Sequence, residues 1–334
     1  MPLFANSQAK TNSSSPDSNR KLALVLSGGG PRGAMQVGAL RALMEEGIKP
    51  DFMVGTSIGA INGAFLARYG YSLDTLDLMI DVWDSSARGN FAPGDFALTL
   101  LRSLLPGVKR AGYLQQARDF YSAHGITPDL QFRDLAGPKL YIVTADIQHF
   151  RPVIFGDNPD DLVLDSMLAS ATIPPWMPPL AMGESLLVDG GAVSDVPIEP
   201  ALRRGATEII ALDLFHPRPS ASGSRGVTGL LGQVFSTMEN RHIELEMELA
   251  ALMGVPVHRW RLQYEHPIPL WDLSHTHNLI HVGYEQAKTY LAEARKQQEQ
   301  AAADRENDSS SSIWSWQELG DKLRSLLGQE HRDS

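Results

Sequence analysis

Leu22-Ala23-Leu24-Val25-Leu26 is an unbroken apolar run that ends at Ser27 and a group of glycines. A short continuous run of this kind predicts a strand buried on both faces, as in a parallel sheet. Over Ala34 to Gly47 the pattern changes. Met35, Val37, Leu40, Leu43 and Met44 recur at helical spacing, and Gly47 is a natural stop. Asp51 to Val54 predicts a second strand, and Ile58, Ala60, Ile61, Ala64 and Phe65 a second helix. Strand, loop, helix, strand, turn, helix is the opening of an α/β layer fold.

Further along, Leu73 to Trp83, Phe96 to Leu105 and Tyr113 to His124 read as helices separated by glycine and proline breaks, an insertion flanking or lidding the site. Lys139 to Asp146 and Arg151 to Phe155 predict a hairpin, Leu162 to Ala171 a helix, and Leu186 to Val188 a short strand. Pro197 to Arg204 is a helix with proline at its first turn, and Glu208 to Leu214 another buried strand. His216 to Gly226 is a loop, Leu230 to Met253 a long amphipathic helix, and Val257 to Tyr264 a strand. Asn278 to about Gln300 is a helix that turns wholly polar.

The ends differ in character. Residues 1–20 are polar, with Ser13-Ser14-Ser15-Pro16, and predict a disordered tail. Residues 21–300 form the domain, with its motifs in 21–215. Residues 301–312, with their serine run, read as a linker, and 313–334 as an amphipathic helix. In that helix Ile313, Trp314, Trp316, Leu319, Leu323, Leu326 and Leu327 recur at helical spacing. Tryptophans at one end suit a membrane–water interface, so 313–328 either make a peripheral membrane contact or pack back on the domain.

Composition narrows the classes. The 334 residues are 43% hydrophobic, enough for a sizeable core, and the absence of cysteine excludes disulfides and thiolate metal sites. A formal net charge of -10 speaks against broad capture of nucleic acid or anionic lipid. No apolar run spans a bilayer and no signal-peptide core opens the chain, so a cytoplasmic protein, peripheral to membranes at most, is expected.

Three stretches carry candidate chemistry. Gly55-Thr56-Ser57-Ile58-Gly59 follows a strand and opens a helix. Its G-x-S-x-G spacing fits a nucleophile elbow, with Gly55 and Gly59 allowing close backbone approach; a tight turn with a solvated serine is the plainer alternative. Ser27-Gly28-Gly29-Gly30-Pro31-Arg32-Gly33 joins a strand to a helix and points amides at one spot, for a phosphate or for an oxyanion. The loop fits the dinucleotide fingerprint, but Thr56 and Ser57 stand where that use needs an acid, and no P-loop lysine follows. Asp189-Gly190-Gly191 ends an apolar strand, as a turn or as a base. A Ser–Asp–His order is formally available through His258, His266, His275, His277 or His281, although the elbow comes too early in the chain for that fold.

Taken in order, Ser27–Gly33, Gly55–Gly59 and Asp189–Gly191 resemble the patatin-like phospholipases of bacterial type, as does Ala169-Ser170-Ala171 with the proline-rich turn after it. The resemblance covers about residues 21–215. It implies a three-layer α/β/α fold with a mostly parallel central sheet and a lipid ester as substrate. It also implies a serine acyl hydrolase of phospholipase A or lysophospholipase type acting through a Ser–Asp dyad and an acyl-enzyme. Ser57 would be the nucleophile and Asp189 the base. Gly28, Gly29, Gly30, Arg32 and Gly33 would form the oxyanion loop, and Gly190 and Gly191 the turn behind the aspartate. Met177 departs from a position that is often Phe. No metal, cofactor or nucleic acid is implied. An acyltransferase with the same nucleophile, or a non-catalytic membrane or partner-binding module, are the competing functions.

Overall fold

A computed structural model describes residues 20–89, 111–174, 177–215, 227–269 and 271–327. The expected N-terminal tail, the helix over 96–105 and the loop over 216–226 lie outside the described residues. Eight strands form one sheet: β1 Leu22–Leu26, β2 Phe52–Thr56, β3 Lys139–Asp146, β4 Arg151–Phe155, β5 Leu180–Met182, β6 Ser185–Asp189, β7 Glu208–Phe215 and β8 Val257–Gln263. The order is β5-β6-β3-β2-β1-β7-β8, with β4 also on β3. The pairs β3–β2, β2–β1, β1–β7 and β7–β8 are parallel, and β4, β5 and β6 pair antiparallel. The mixed α/β architecture with a mostly parallel sheet is therefore as expected.

The helices are α1 Gly33–Glu45, α2 Ile58–Tyr69, α3 Leu73–Arg88, α4 Ala111–Ala123, α5 Val163–Ser170, α6 Ile198–Arg203, α7 Val227–Leu252 and α8 Thr276–Leu327. Alternation along the strands divides them between two layers. Ala23, Val25, Val54, Val143, Ile209 and Ala211 join Ile198, Leu202 and Ile243 in one core beneath α6 and α7. Residues of opposite parity, among them Leu24, Leu26, Met53 and Leu140, are buried on the other face, toward α1, α2 and α5. Gly38 of α1 and Gly283 of α8 touch backbone directly. A Cβ on Gly38 would lie 1.9 Å from the Ile280 carbonyl oxygen, and one on Gly283 would lie 2.0 Å from that of Met35.

Two boundaries differ from expectation. The short β5, three residues long, has too little pattern to be seen in sequence. The expected linker over 301–312 is helical, because α8 runs unbroken to Leu327. Its residues 285–319 hold no glycine or proline, and Ala301–Ala303 are strong helix formers that carry the helix into the serines. Ala9–Lys288 form one compact unit, and α8 from Thr289 onward belongs to a second.

Candidate active site

The site grows from a handover on one edge of β3. β4 covers the other edge across Ile142–Asp146. On the shared edge β2 pairs as far as Thr56 opposite Val143, and antiparallel β6 takes over with Asp189 opposite Thr144. Two strands running toward each other thus end side by side, and Ser57 and Asp189 are the residues at their ends. The Ser57 hydroxyl faces the Asp189 carboxylate and lowers its proton affinity.

Ser57 has φ 54 and ψ -121, a strained conformation for a residue with a Cβ. The turn is held by its neighbours. A Cβ on Gly55 would stand 2.6 Å from the Gly59 carbonyl oxygen, and a Cβ on Gly59 only 2.1 Å from that of Leu26. The Ser57 amide donates to Ser170 Oγ at 2.8 Å, and that hydroxyl donates to the Val143 carbonyl at 2.7 Å. Thr56 Oγ1 donates to the Ser194 carbonyl at 2.8 Å. The N-terminus of α2 points its partial positive charge at this spot.

Asp189 Oδ1 accepts the Gly191 amide at 2.8 Å. Burial pushes the carboxyl up to about 6, against the lowering effect of the Ser57 and Gly191 hydrogen bonds. Gly190 packs where a Cβ would be 2.3 Å from the Val143 carbonyl oxygen, so the turn cannot carry a side chain there.

The glycine loop is fixed by polar contacts and divides into used and unused amides. Ser27 Oγ accepts the Leu214 amide at 2.8 Å, and Gln36 Nε2 donates to the Ser27 carbonyl at 3.0 Å. Gly28 donates to the Asp195 carbonyl at 3.1 Å, and Gly33 to the carbonyls of Gly30 and Pro31. Those two amides are spent inside the protein. Among the described residues the amides of Gly29 and Gly30 have no acceptor. Gly29 holds φ 152 against the side chain of Leu214. Arg32 turns inward: its Nε is buried without a hydrogen-bond partner among the described residues, and burial lowers its proton affinity against the charges of Asp195, Glu239 and Asp213.

A cavity of about 150 Å³ opens beside Ser57, Gly30 and Pro31. Ile58, Ile61 and Phe65 form the α2 wall, Met79, Val82 and Trp83 that of α3, and Leu114, Ala117 and Phe120 that of α4. The helical insertion therefore supplies two of the cavity's apolar walls. Met177 lines it and is buried. Its one amide near the catalytic end, Asn62, is satisfied by Gly33, Gln36 and Trp83.

The histidines lie elsewhere. His258 binds Glu208 at 3.1 Å at the starts of β7 and β8, His277 contacts Asp84, and His275 contacts Asp272. Among the described residues none is a hydrogen-bond partner of Ser57 or Asp189, so the triad order through His258, His266, His275, His277 or His281 does not assemble. Sequence reasoning missed Ser170, Asp195 and Glu239. Ser170 had a signal, since it lies in the Ala169–Ala171 block. Among the described residues, no cluster of three His, Asp or Glu side chains forms a metal site.

A family model described as patatin-like phospholipase matches residues 24–202. The patatin-like phospholipase domain-containing protein 7 of Rattus norvegicus is 32% identical over 212 residues, 63% of this chain and 14% of that protein. A lysophospholipase of Aspergillus terreus is 32% identical over 202 residues, 58% of this chain and 12% of its own. The chain thus spans a small part of the length of the curated relatives it matches. VipD from Legionella pneumophila is similar at 13% identity with a TM-score of 0.41, over 83% of this chain and 67% of that one. The type III effector ExoU is similar at 19% identity with a TM-score of 0.36, over 83% and 53%. With its family match covering more than half of its residues, the chain belongs to the patatin-like phospholipase family.

Proposed function

We propose that the protein is a serine acyl hydrolase that cleaves the carboxylic ester bonds of phospholipids or lysophospholipids through Ser57 and Asp189. The observation that carries this reading is Ser57 facing the Asp189 carboxylate, with Ser57 lining an apolar cavity beside two loop amides that have no acceptor among the described residues. Asp189 takes the hydroxyl proton as Ser57 Oγ attacks the ester carbonyl carbon. The Gly29 and Gly30 amides meet the oxyanion that forms. The carbon–oxygen bond to the alcohol breaks, and Asp189 returns the proton to the leaving oxygen. Water then attacks the acyl-enzyme, giving its proton to Asp189, and Ser57 leaves with that proton restored. The apolar cavity takes the acyl chain.

A fluorophosphonate probe tests the nucleophile, and a panel of phosphatidylcholine, lysophosphatidylcholine and neutral esters with products identified tests the substrate. Ser57 is expected to be the labelled residue, and Ser57→Ala to lose at least about 10⁴-fold in turnover. A folded Ser57→Ala protein that turns over ester at the wild-type rate would overturn the reading.

The C-terminal part of α8 is the proposed contact with a lipid surface. No helix of the described residues is long and apolar enough to cross a membrane. The Trp314–Leu327 stretch would lie in the interface, its apolar positions inserted and Lys322 and Arg324 adding local attraction. Deleting 305–334 is expected to leave turnover of a soluble ester unchanged and to lower turnover of zwitterionic liposomes. Equal liposome activity in the shortened protein would remove the anchor, and a drop in its Tm would assign the segment to packing.

A further inference from the structure

Six residues after Asp189, a second carboxyl stands against the glycine loop, and the reaction proposed above makes no use of it. Asp195 lies between the turn Gly190–Ala192 and α6. Its main-chain carbonyl accepts the Gly28 amide at 3.1 Å. Its side chain covers the same glycine, since a Cβ on Gly28 would be 2.3 Å from Asp195 Oδ1. A Cβ on Gly191 would be 3.4 Å from that oxygen and 3.1 Å from Asp189 Oδ1. The two carboxyls are therefore close neighbours with one glycine between them.

Four charged groups face Asp195: Arg32 from the loop, Asp213 from β7, Glu239 from α7 and Asp189 from the end of β6. Asp213 is already held by Arg259 at 2.7 Å. Arg32 is left as the cation for both Asp195 and Glu239. Carboxyls this close do not all ionise together. Burial pushes Glu239 up to about 7. Burial also raises Asp195 well above the usual carboxylate range, and the charges of Glu239, Asp213 and Asp189 raise it further against Arg32.

Resting on the Ser57–Asp189 reading, we propose that Asp195 is a positioning residue whose protonated carboxyl seats Gly28 and the glycine loop beside Ser57, and whose ionisation ends turnover at alkaline pH. An ionised Asp195 places a second negative charge beside the loop amides, where the reaction develops an oxyanion. It also draws the side chain toward Arg32 and away from Gly28. The penalty arises in the transition state and not in the bound ester, so kcat falls while KM holds.

The test is the pH profile of kcat and KM on a soluble ester, from about pH 5 to about pH 10, with the full chain. The wild type is expected to rise through about pH 6 with Asp189. It should then fall by about tenfold per pH unit on the alkaline side, in kcat. Asp195→Asn keeps the neutral form at every pH, so its alkaline fall disappears. Glu239→Gln removes a charge that holds the Asp195 proton, so its alkaline fall moves to lower pH; neither variant moves the acid side. A wild type without an alkaline fall, or an Asp195→Asn protein that keeps it, overturns the proposal. So does a Glu239→Gln fall that stays in place or moves upward, which decides the matter if Asp195→Asn does not fold. Fluorophosphonate labelling separates the two readings. If Ser57 is unlabelled at every pH, the hydrolase reading itself has failed; if it is labelled with no alkaline decline in rate, only the role of Asp195 has.

Discussion

Asp189→Asn is expected to lower kcat on a soluble ester by about 10⁴-fold and, at the same time, to make the protein more stable at neutral pH. The loss follows from the missing base. Asparagine keeps the oxygen that accepts the Gly191 amide, so the turn survives, but it cannot take the Ser57 proton. The gain follows from burial. The carboxyl stands at about 6 against an ordinary value of 3.8, so the folded protein binds this proton more tightly than the unfolded chain does. A carboxyl shifted upward costs stability as pH rises from about 4 to about 6, and the cost is constant above that. The variant carries no charge to bury. At pH 7.5 its unfolding free energy should exceed that of the wild type by up to about 3 kcal/mol, and the difference should vanish below about pH 4. Paired denaturant titrations at the two pH values measure this. A dead variant that is also less stable at pH 7.5 would mean that Asp189 serves the fold, and His258→Ala or His277→Ala should leave activity in place.

The parts of the site that were legible in sequence are those where the backbone dictates the residue type. Gly55 and Gly59 flank Ser57 because no Cβ fits at either place, and Gly190 follows Asp189 for the same reason. The continuous apolar runs at β1 and β7 were legible because both faces of those strands are covered. Other features depend on what packs against what. Gly28 and Gly29 look alike in the sequence, yet one amide is spent on Asp195 and the other has no acceptor among the described residues, a difference made by a carbonyl 167 positions away in the chain. Glu239 reads as one more charge on a long helix. Its meaning arises only when α7 lies against the end of the sheet that holds Arg32 and Asp189. The serine run at 309–312 has the composition of a linker, and the helix before it decided otherwise. The handover from β2 to β6 on one edge of β3, which brings Ser57 to Asp189, has no local signal at all, because it is a property of three strands together.

The elbow also fixes the second large effect, at Gly59. Its backbone rests on the end of β1, where a Cβ would lie 2.1 Å from the Leu26 carbonyl oxygen, 2.6 Å from its carbon and 2.7 Å from the Ser27 carbonyl oxygen. None of these atoms can turn aside. Leu26 is paired on both edges, with Gly55 of β2 and Leu212 of β7. In Gly59→Ala the first turn of α2 must therefore lift from the sheet, and Ser57 moves with it. The expected cost is about 3 kcal/mol or more in unfolding free energy. A shift of Ser57 by about 1 Å would take a further factor of about 10² from kcat in the molecules that remain folded. Gly63→Ala, one turn further along α2, is the control. Its Cβ would meet Leu140 Cδ1 at 2.8 Å, the tip of a side chain that can change rotamer. Alanine also gains helix propensity there, so the net change should stay within about 1.5 kcal/mol with kcat preserved. Urea titrations of both variants, with kcat read on the same soluble ester, separate a backbone collision from simple crowding of a helix. A Gly59→Ala protein as stable as Gly63→Ala would mean that α2 does not sit on β1, and that the strain at Ser57 is set by something other than this contact.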